Sequence, residues 1–194
     1  MKYLLLIIAT CIGSMMFSQQ VIVFSKTEKC FLNVKDSPCK PKGKEKLDFL
    51  ADFQHVNFQD TAGLNKMKLI TPPLEWGKKV NDDTNGEIVF FSSFANGFIT
   101  DLSLFNLLPD HNYLLTLNGN PKLAGNDLLP DTVPNLSIER YYDFLSIKTD
   151  SHGNYHARIG IYLKHGNYGV RLYVKDTDGY KIVLYHDYFN FTVR

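Results

Sequence analysis

From Asn85 to the C-terminus the chain repeats one pattern: short runs of β-branched and aromatic residues, broken every eight to fourteen positions by turn chemistry. GEIVFFSSF (86–94) stops at Asn96-Gly97, a strong hairpin signal, and FITDLSLF (98–105) follows. NYLLTLN (112–118), YYDFLSIK (141–148), YHARIGIYL (155–163), YGVRLYV (168–174) and YKIVLYHDYFNFTV (180–193) complete the series, with Asp178-Gly179 as a second hairpin signal. No helical period separates them. Seven strands in about 110 residues, with VIVF at 21–24 as an eighth, define an all-β chain, an antiparallel β-sandwich of seven or eight strands. The aromatic content of 13%, with 14 Phe and 11 Tyr, suits strands.

Period-two counting assigns the faces. Ala157, Ile159, Ile161 and Leu163 point one way, and Arg158, Gly160 and Tyr162 the other. Val170, Leu172 and Val174 point in, and Arg171 and Tyr173 out. In the last strand the face carrying Phe189, Phe191 and Val193 has the greater apolar weight, which leaves Asp187 misplaced and predicts a bulge at His186-Asp187.

The chain divides into three units. Residues 1–18 combine Lys2, an apolar run from Leu4 to Ile8 and a small residue, Ser18, before Gln19. This is the layout of a cleaved signal peptide, too short and too broken by Gly13-Ser14 to be a permanent span. It resembles bacterial secretory signals in which a small residue precedes Gln. The expectation is an exported bacterial chain, secreted, periplasmic or held at the cell surface, with a weaker alternative of lipidation at Cys11. Its removal takes one Lys and no acid, leaving 20 basic and 20 acidic residues. That balance argues against nucleic acid as a partner, and no later stretch is apolar enough to span a membrane.

Residues 19–84 form the second unit: a first strand, a Lys/Pro-rich loop at 35–46 with five Lys against two acids, and an irregular segment around Pro72-Pro73 and Trp76. The two remaining cysteines, Cys30 and Cys39, are expected to form a disulfide, as an even count in an exported chain suggests. It would stabilise by about 2–3 kcal/mol. Residues 85–194 form the third unit, the sandwich.

Two stretches carry a resemblance. Leu107-Leu108-Pro109-Asp110-His111-Asn112-Tyr113 is similar to the L-x-P-x-x-x-Y corner of fibronectin type III domains, whose Tyr hydroxyl returns to the nearby backbone. Thr149-Asp150-Ser151-His152-Gly153-Asn154-Tyr155, a strand, then Leu163-Lys164-His165-Gly166-Asn167-Tyr168-Gly169-Val170 resembles the carboxypeptidase-regulatory-like or transthyretin-like family of Ig-like sandwiches. The likeness is confined to about 25 residues and extends loosely over 85–194. It implies an Ig-like fold, a positive φ at Gly166 and a corner role for Tyr168. It implies no active site, because such modules serve as stalks, accessories and binders.

Catalytic signatures are missing: no G-x-S-x-G elbow, HExxH helix or phosphate loop. His152, His156 and His165 lie in or near successive turns, but strand spacing does not force them together, so no metal is assigned. The Asp/Asn-Gly turns at 82–86, 150–153 and 176–179 are explained as hairpin turns without calcium or another cofactor. Glu139 and Asp143 share a strand face and are the nearest approach to an acid pair. The binding expectation falls on Arg158, Tyr162, Arg171, Tyr173 and Lys175. With the short turn His165-Gly166-Asn167 pairing their two strands, they would form one exposed aromatic–basic face suited to a protein or a glycan. An inhibitor or immunity-type protein, and a hydrolase of unrecognised type, are the alternatives.

Overall fold

The computed structural model describes residues 20–24, 43–59, 62–119, 126–130 and 140–194. The signal segment, Cys30, Cys39, Glu139 and most of the Lys/Pro-rich loop lie outside them. The described chain runs β1 (Gln20–Val23), α1 (Lys44–His55), β2 (Leu64–Leu69), β3 (Asn85–Phe91), β4 (Ser93–Phe94), β5 (Gly97–Phe105), β6 (Asn112–Gly119), β7 (Arg140–Lys148), β8 (Tyr155–Tyr162), β9 (Gly166–Asp176) and β10 (Ile182–Val193). A first sheet has the order β1-β8-β5-β3-β2 and a second the order β4-β10-β9-β6-β7. They enclose one core in a sandwich-like arrangement. The inner residues Phe90, Phe98, Leu102 and Ile159 of the first meet Leu115, Val170, Leu172 and Phe189 of the second.

The expected β-rich, sandwich-like arrangement is present, with two corrections. The described residues hold ten strands, because β2 arises inside the segment read as irregular and β4 splits from β3. The sheets are mixed, because β1 lies parallel to β8 and β4 parallel to β10. Both parallel pairs are short additions at sheet edges, and every other strand-to-strand ladder is antiparallel. At Asn96 the residue takes φ 60°, and β3 and β5 pair antiparallel around it. The turn is longer than two residues because β4 leaves to join the other sheet.

Helix α1 was not separable from strand in the sequence. Its buried side chains, Phe49 and Phe53, stand four apart on one face. They pack on the outer side of the first sheet, where Gly97 and Gly160 leave room. A Cβ at Gly97 would lie 2.5 Å from Phe49, and one at Gly160 2.6 Å from Phe53. With Ile22, Phe24 and Ile99 the two phenylalanines form a second, smaller core. Among the described residues no helix is long and apolar enough to cross a membrane.

Both expected corners have the anticipated geometry. The Leu108 N–H donates to Tyr113 Oη at 3.0 Å, and Tyr168 Oη–H donates to the Lys164 carbonyl at 2.6 Å. Tyr168 is wholly buried, stacks on Phe191 with centroids 4.9 Å apart, and follows Gly166 at φ 153°. Tyr142 is equally buried, but its hydroxyl finds no hydrogen-bond partner among the described residues, and burial pushes its pKa up to about 12. The two tyrosines should answer the same substitution with opposite signs. Tyr168→Phe loses a bond and leaves a buried carbonyl short of a donor, costing about 1–2 kcal/mol. Tyr142→Phe removes an unsatisfied hydroxyl and should gain about 1 kcal/mol. Urea unfolding of both variants reads the two signs directly.

Candidate functional site

The five residues expected to share one face do not. β8 already pairs with β1 on one edge and β5 on the other, while β9 pairs with β6 and β10 in the opposite sheet. The chain from Leu163 to Gly166 crosses the edge of the sandwich instead of closing a hairpin. The buried Leu163, the Tyr168 bond to Lys164 and a Gly166 pressed against Leu128 hold that crossing. Arg158 and Tyr162 therefore face α1 on the first sheet, and Arg171, Tyr173 and Lys175 lie on the outer face of the second.

On the first sheet Arg158 is a fastener. It grips Asp101 bidentately, Nε to Oδ1 at 2.8 Å and Nη2 to Oδ2 at 3.0 Å, donates Nη1 to the Val56 carbonyl, and lies 4.3 Å over the Phe58 ring. Tyr162 Oη–H donates to Glu45 at 2.8 Å and its ring meets Phe49 edge-on. Burial first, then the Glu45 carboxylate, pushes the Tyr162 pKa up to about 12. Both side chains are engaged with the segment that connects β1 to β2.

The second sheet's outer face is built differently. Residues 70–77 arch along the edge of β10, with bridges Ile70–Tyr185 and Gly77–Ile182. Pro72-Pro73 bends the arch, and N–H groups of Trp76 and Gly77 both donate to the Pro73 carbonyl. The arch sets Trp76, two-fifths exposed, edge-on to Tyr185 at 4.9 Å and tilted over Tyr173 at 6.4 Å. Tyr173, which period-two counting places outside, is only 4% exposed, because Trp76 covers it and Tyr141 stacks beside it.

The expected bulge lies next to this cluster. Between His186 and Phe189 the register slips by one, so Asp187 and Tyr188 together oppose the single residue Arg171. Both reach it: Arg171 Nε donates to Asp187 at 2.8 Å, and its guanidinium lies 4.1 Å over the Tyr188 ring. Arg171 Nη1 also donates to Tyr173 Oη at 3.5 Å. Burial would lower the Arg171 pKa, but the bonds to Tyr173 and Asp187 outweigh it and keep the group charged. The same guanidinium holds the Asp187 carboxyl below its ordinary value. Farther along, Lys175 Nζ reaches Asp143 at 3.3 Å over the Tyr141 ring, and Thr116 donates to the same Asp143 oxygen at 2.6 Å. Burial pushes the Lys175 pKa down, and Asp143 restores it only in part. Sequence reading found Arg171, Tyr173 and Lys175 here but missed Trp76, Tyr185, Asp187 and Tyr188. The bulge was itself a signal for the last two, since an extra residue puts neighbours on one side.

The histidines read along the sequence do not converge. His152 sits by Ser151, His156 packs on Phe105, and His165 meets Asn96. His111, Asp176 and Asp178 do place ligand atoms within 4.8 Å of one another. However, the wholly buried Asp176 is already filled: Lys78 Nζ, His111 Nε2 and the Asp178 N–H each stand 2.8 Å from its oxygens. With Oδ1 taken by His111 and the Asp178 N–H and Oδ2 balanced by the Lys78 ammonium, the cluster is a structural knot. The turn at 150–153 is likewise self-contained, with Asp150 Oδ1 accepting from the N–H groups of His152 and Asn154. A hollow of about 350 Å³ at the end of α1 holds one carboxylate, Asp52, and one imidazole, His55, beside Phe94 and Arg194, which is short of a catalytic constellation.

Compared with known proteins, the chain matches no family, no curated protein and no solved structure.

Proposed function

We propose that this chain is an exported, non-enzymatic binding module with an Ig-like sandwich, and that it takes a protein or a glycan on the outer face of its second sheet. The observation that carries the reading is the continuous cluster Trp76–Tyr185–Tyr173–Arg171–Tyr188, exposed at Trp76 and half-buried at Tyr185, Arg171 and Tyr188. Trp, Tyr and Arg are the residue types that dominate binding hot spots, and these are held in place by rings and ion pairs before any ligand arrives. The two tyrosine corners support the Ig-like assignment, and the signal-like N-terminus supports export. Occupation of another protein's site, as an inhibitor would achieve, uses the same surface and is distinguished by the identity of the captured partner.

The test compares the parent with an Arg171→Ala/Tyr188→Ala variant. Neither side chain belongs to the core, so the double variant should unfold within about 1 kcal/mol of the parent. Retention of extracellular material by the immobilised protein should fall about thirtyfold or more. Equal retention by a folded variant removes the proposal. Substituting Tyr162 and Tyr173 together would not serve, because both pack against residues preceding Asn85, Tyr162 on α1 and Tyr173 under Trp76.

A further inference from the structure

Resting on that reading, we infer that the ligand of the second sheet's outer face is a neutral glycan, held by Trp76 and Tyr188 on ring faces and by the Arg171–Asp187 pair on hydroxyl groups. The face carries cations but presents little net charge, because Arg171 is matched by Asp187 and Lys175 by Asp143. A polyanion would have to break these pairs, and so would a strongly charged peptide. What the face does offer is paired donors and acceptors between rings. Arg171 commits Nε to Asp187 and Nη1 to Tyr173, leaving Nη2 without a protein partner among the described residues. Asp187 beside it is two-thirds exposed and accepts freely. A donor and an acceptor side by side match adjacent hydroxyl groups of a sugar ring, each of which both donates and accepts. The rings on either side, Trp76 beyond Tyr173 and Tyr188 against Arg171, supply apolar faces for the C–H surfaces of successive sugar units. The bulge makes the arrangement possible, since without the extra residue Asp187 and Tyr188 would point to opposite sides.

The chain has a single tryptophan, so its fluorescence reports on the site itself. The experiment runs native gels cast with neutral polysaccharides (laminarin, hydroxyethyl cellulose, galactomannan, dextran) and with acidic ones (alginate, polygalacturonate). Trp76 emission is then titrated with whichever retards the protein. The expected result is retardation by at least one neutral polysaccharide with a saturable change in Trp76 emission. Tyr188→Ala should weaken it about thirtyfold, and Arg171→Lys, which loses the planar fork, about tenfold. Retardation by acidic polysaccharides alone, or by none, overturns the inference. If in that case the immobilised protein still captures a protein partner and Arg171→Ala/Tyr188→Ala abolishes the capture, the proposed binding function stands and only the glycan is wrong. If no captured material depends on these residues, both fall.

Discussion

Gly153→Ala is expected to lower stability by about 3–5 kcal/mol, enough to threaten folding of a domain of this size. Gly153 has φ 77°, and a Cβ there would stand 2.1 Å from the Leu107 carbonyl oxygen and 2.9 Å from its carbon. The intruded partner is backbone, and it cannot swing away. Leu107 is 1% exposed, its N–H donates to the Gly153 carbonyl, and the next N–H is the one Tyr113 accepts. The substitution therefore wedges open the junction between the β5–β6 connection and the β7–β8 turn. Gly179 is the control. Its φ of 82° is similar, but no atom lies within 4 Å of its Cβ position, so Gly179→Ala should cost only about 1 kcal/mol. Denaturant midpoints of the two variants separate steric collision from backbone conformation, and equal midpoints would refute the collision.

Asp176→Asn should cost about 3 kcal/mol. Asp176 is fully buried and ties three parts of the fold: Lys78 at the end of the arch, His111 of the β5–β6 connection and the β9–β10 turn through Asp178. An amide cannot balance the Lys78 ammonium, and breaking a buried pair leaves a charge uncompensated. The cost stays at the lower end of that range because Lys78 is partly exposed and can rehydrate. The pH dependence follows. Burial would raise the Asp176 pKa, but Lys78, His111 and the Asp178 N–H together hold it below the ordinary 3.8. A group depressed in the folded state contributes stability that is complete above its unfolded value and lost as pH falls through the folded one. The parent should thus lose stability below about pH 4 through this group, and Asp176→Asn should show a flatter acid limb. Lys78 is two residues from Trp76, so loosening the arch should also shift Trp76 emission to the red. A variant with parent-like acid sensitivity and unchanged emission would show that the knot anchors nothing.

Eight of the ten described strands, the inner faces of β8 and β9, both corners and the β10 bulge were legible in the sequence because each is a local matter of period, turn residue or parity conflict. The placement of Arg158 and Tyr162 opposite Ile159 and Ile161 was right residue by residue. Which strand neighbours which was not legible. A turn of three residues, His165-Gly166-Asn167, serves a hairpin and an inter-sheet crossing equally well, and only the occupied edges of β8 decide between them. Helix α1 was hidden because its stability depends on Phe49 and Phe53 fitting two side-chain-free positions, Gly97 and Gly160, far along the chain. Trp76 was visible as the lone tryptophan beside a double proline, but its neighbours Tyr173 and Tyr185 come from pairing that no local pattern encodes.

Ligand is proposed to bind the outer face of the second sheet rather than the helix-covered face of the first. Hydroxyl-radical footprinting of the parent protein, alone and saturated with the extracellular material it retains, tests this without any substitution. Oxidation of Trp76, Tyr185 and Tyr188 should fall on ligand addition while Leu47, half exposed on α1, oxidises as before. Protection of Leu47 and Tyr162 with Trp76 and Tyr188 unchanged would put the ligand on the first sheet and overturn the proposal.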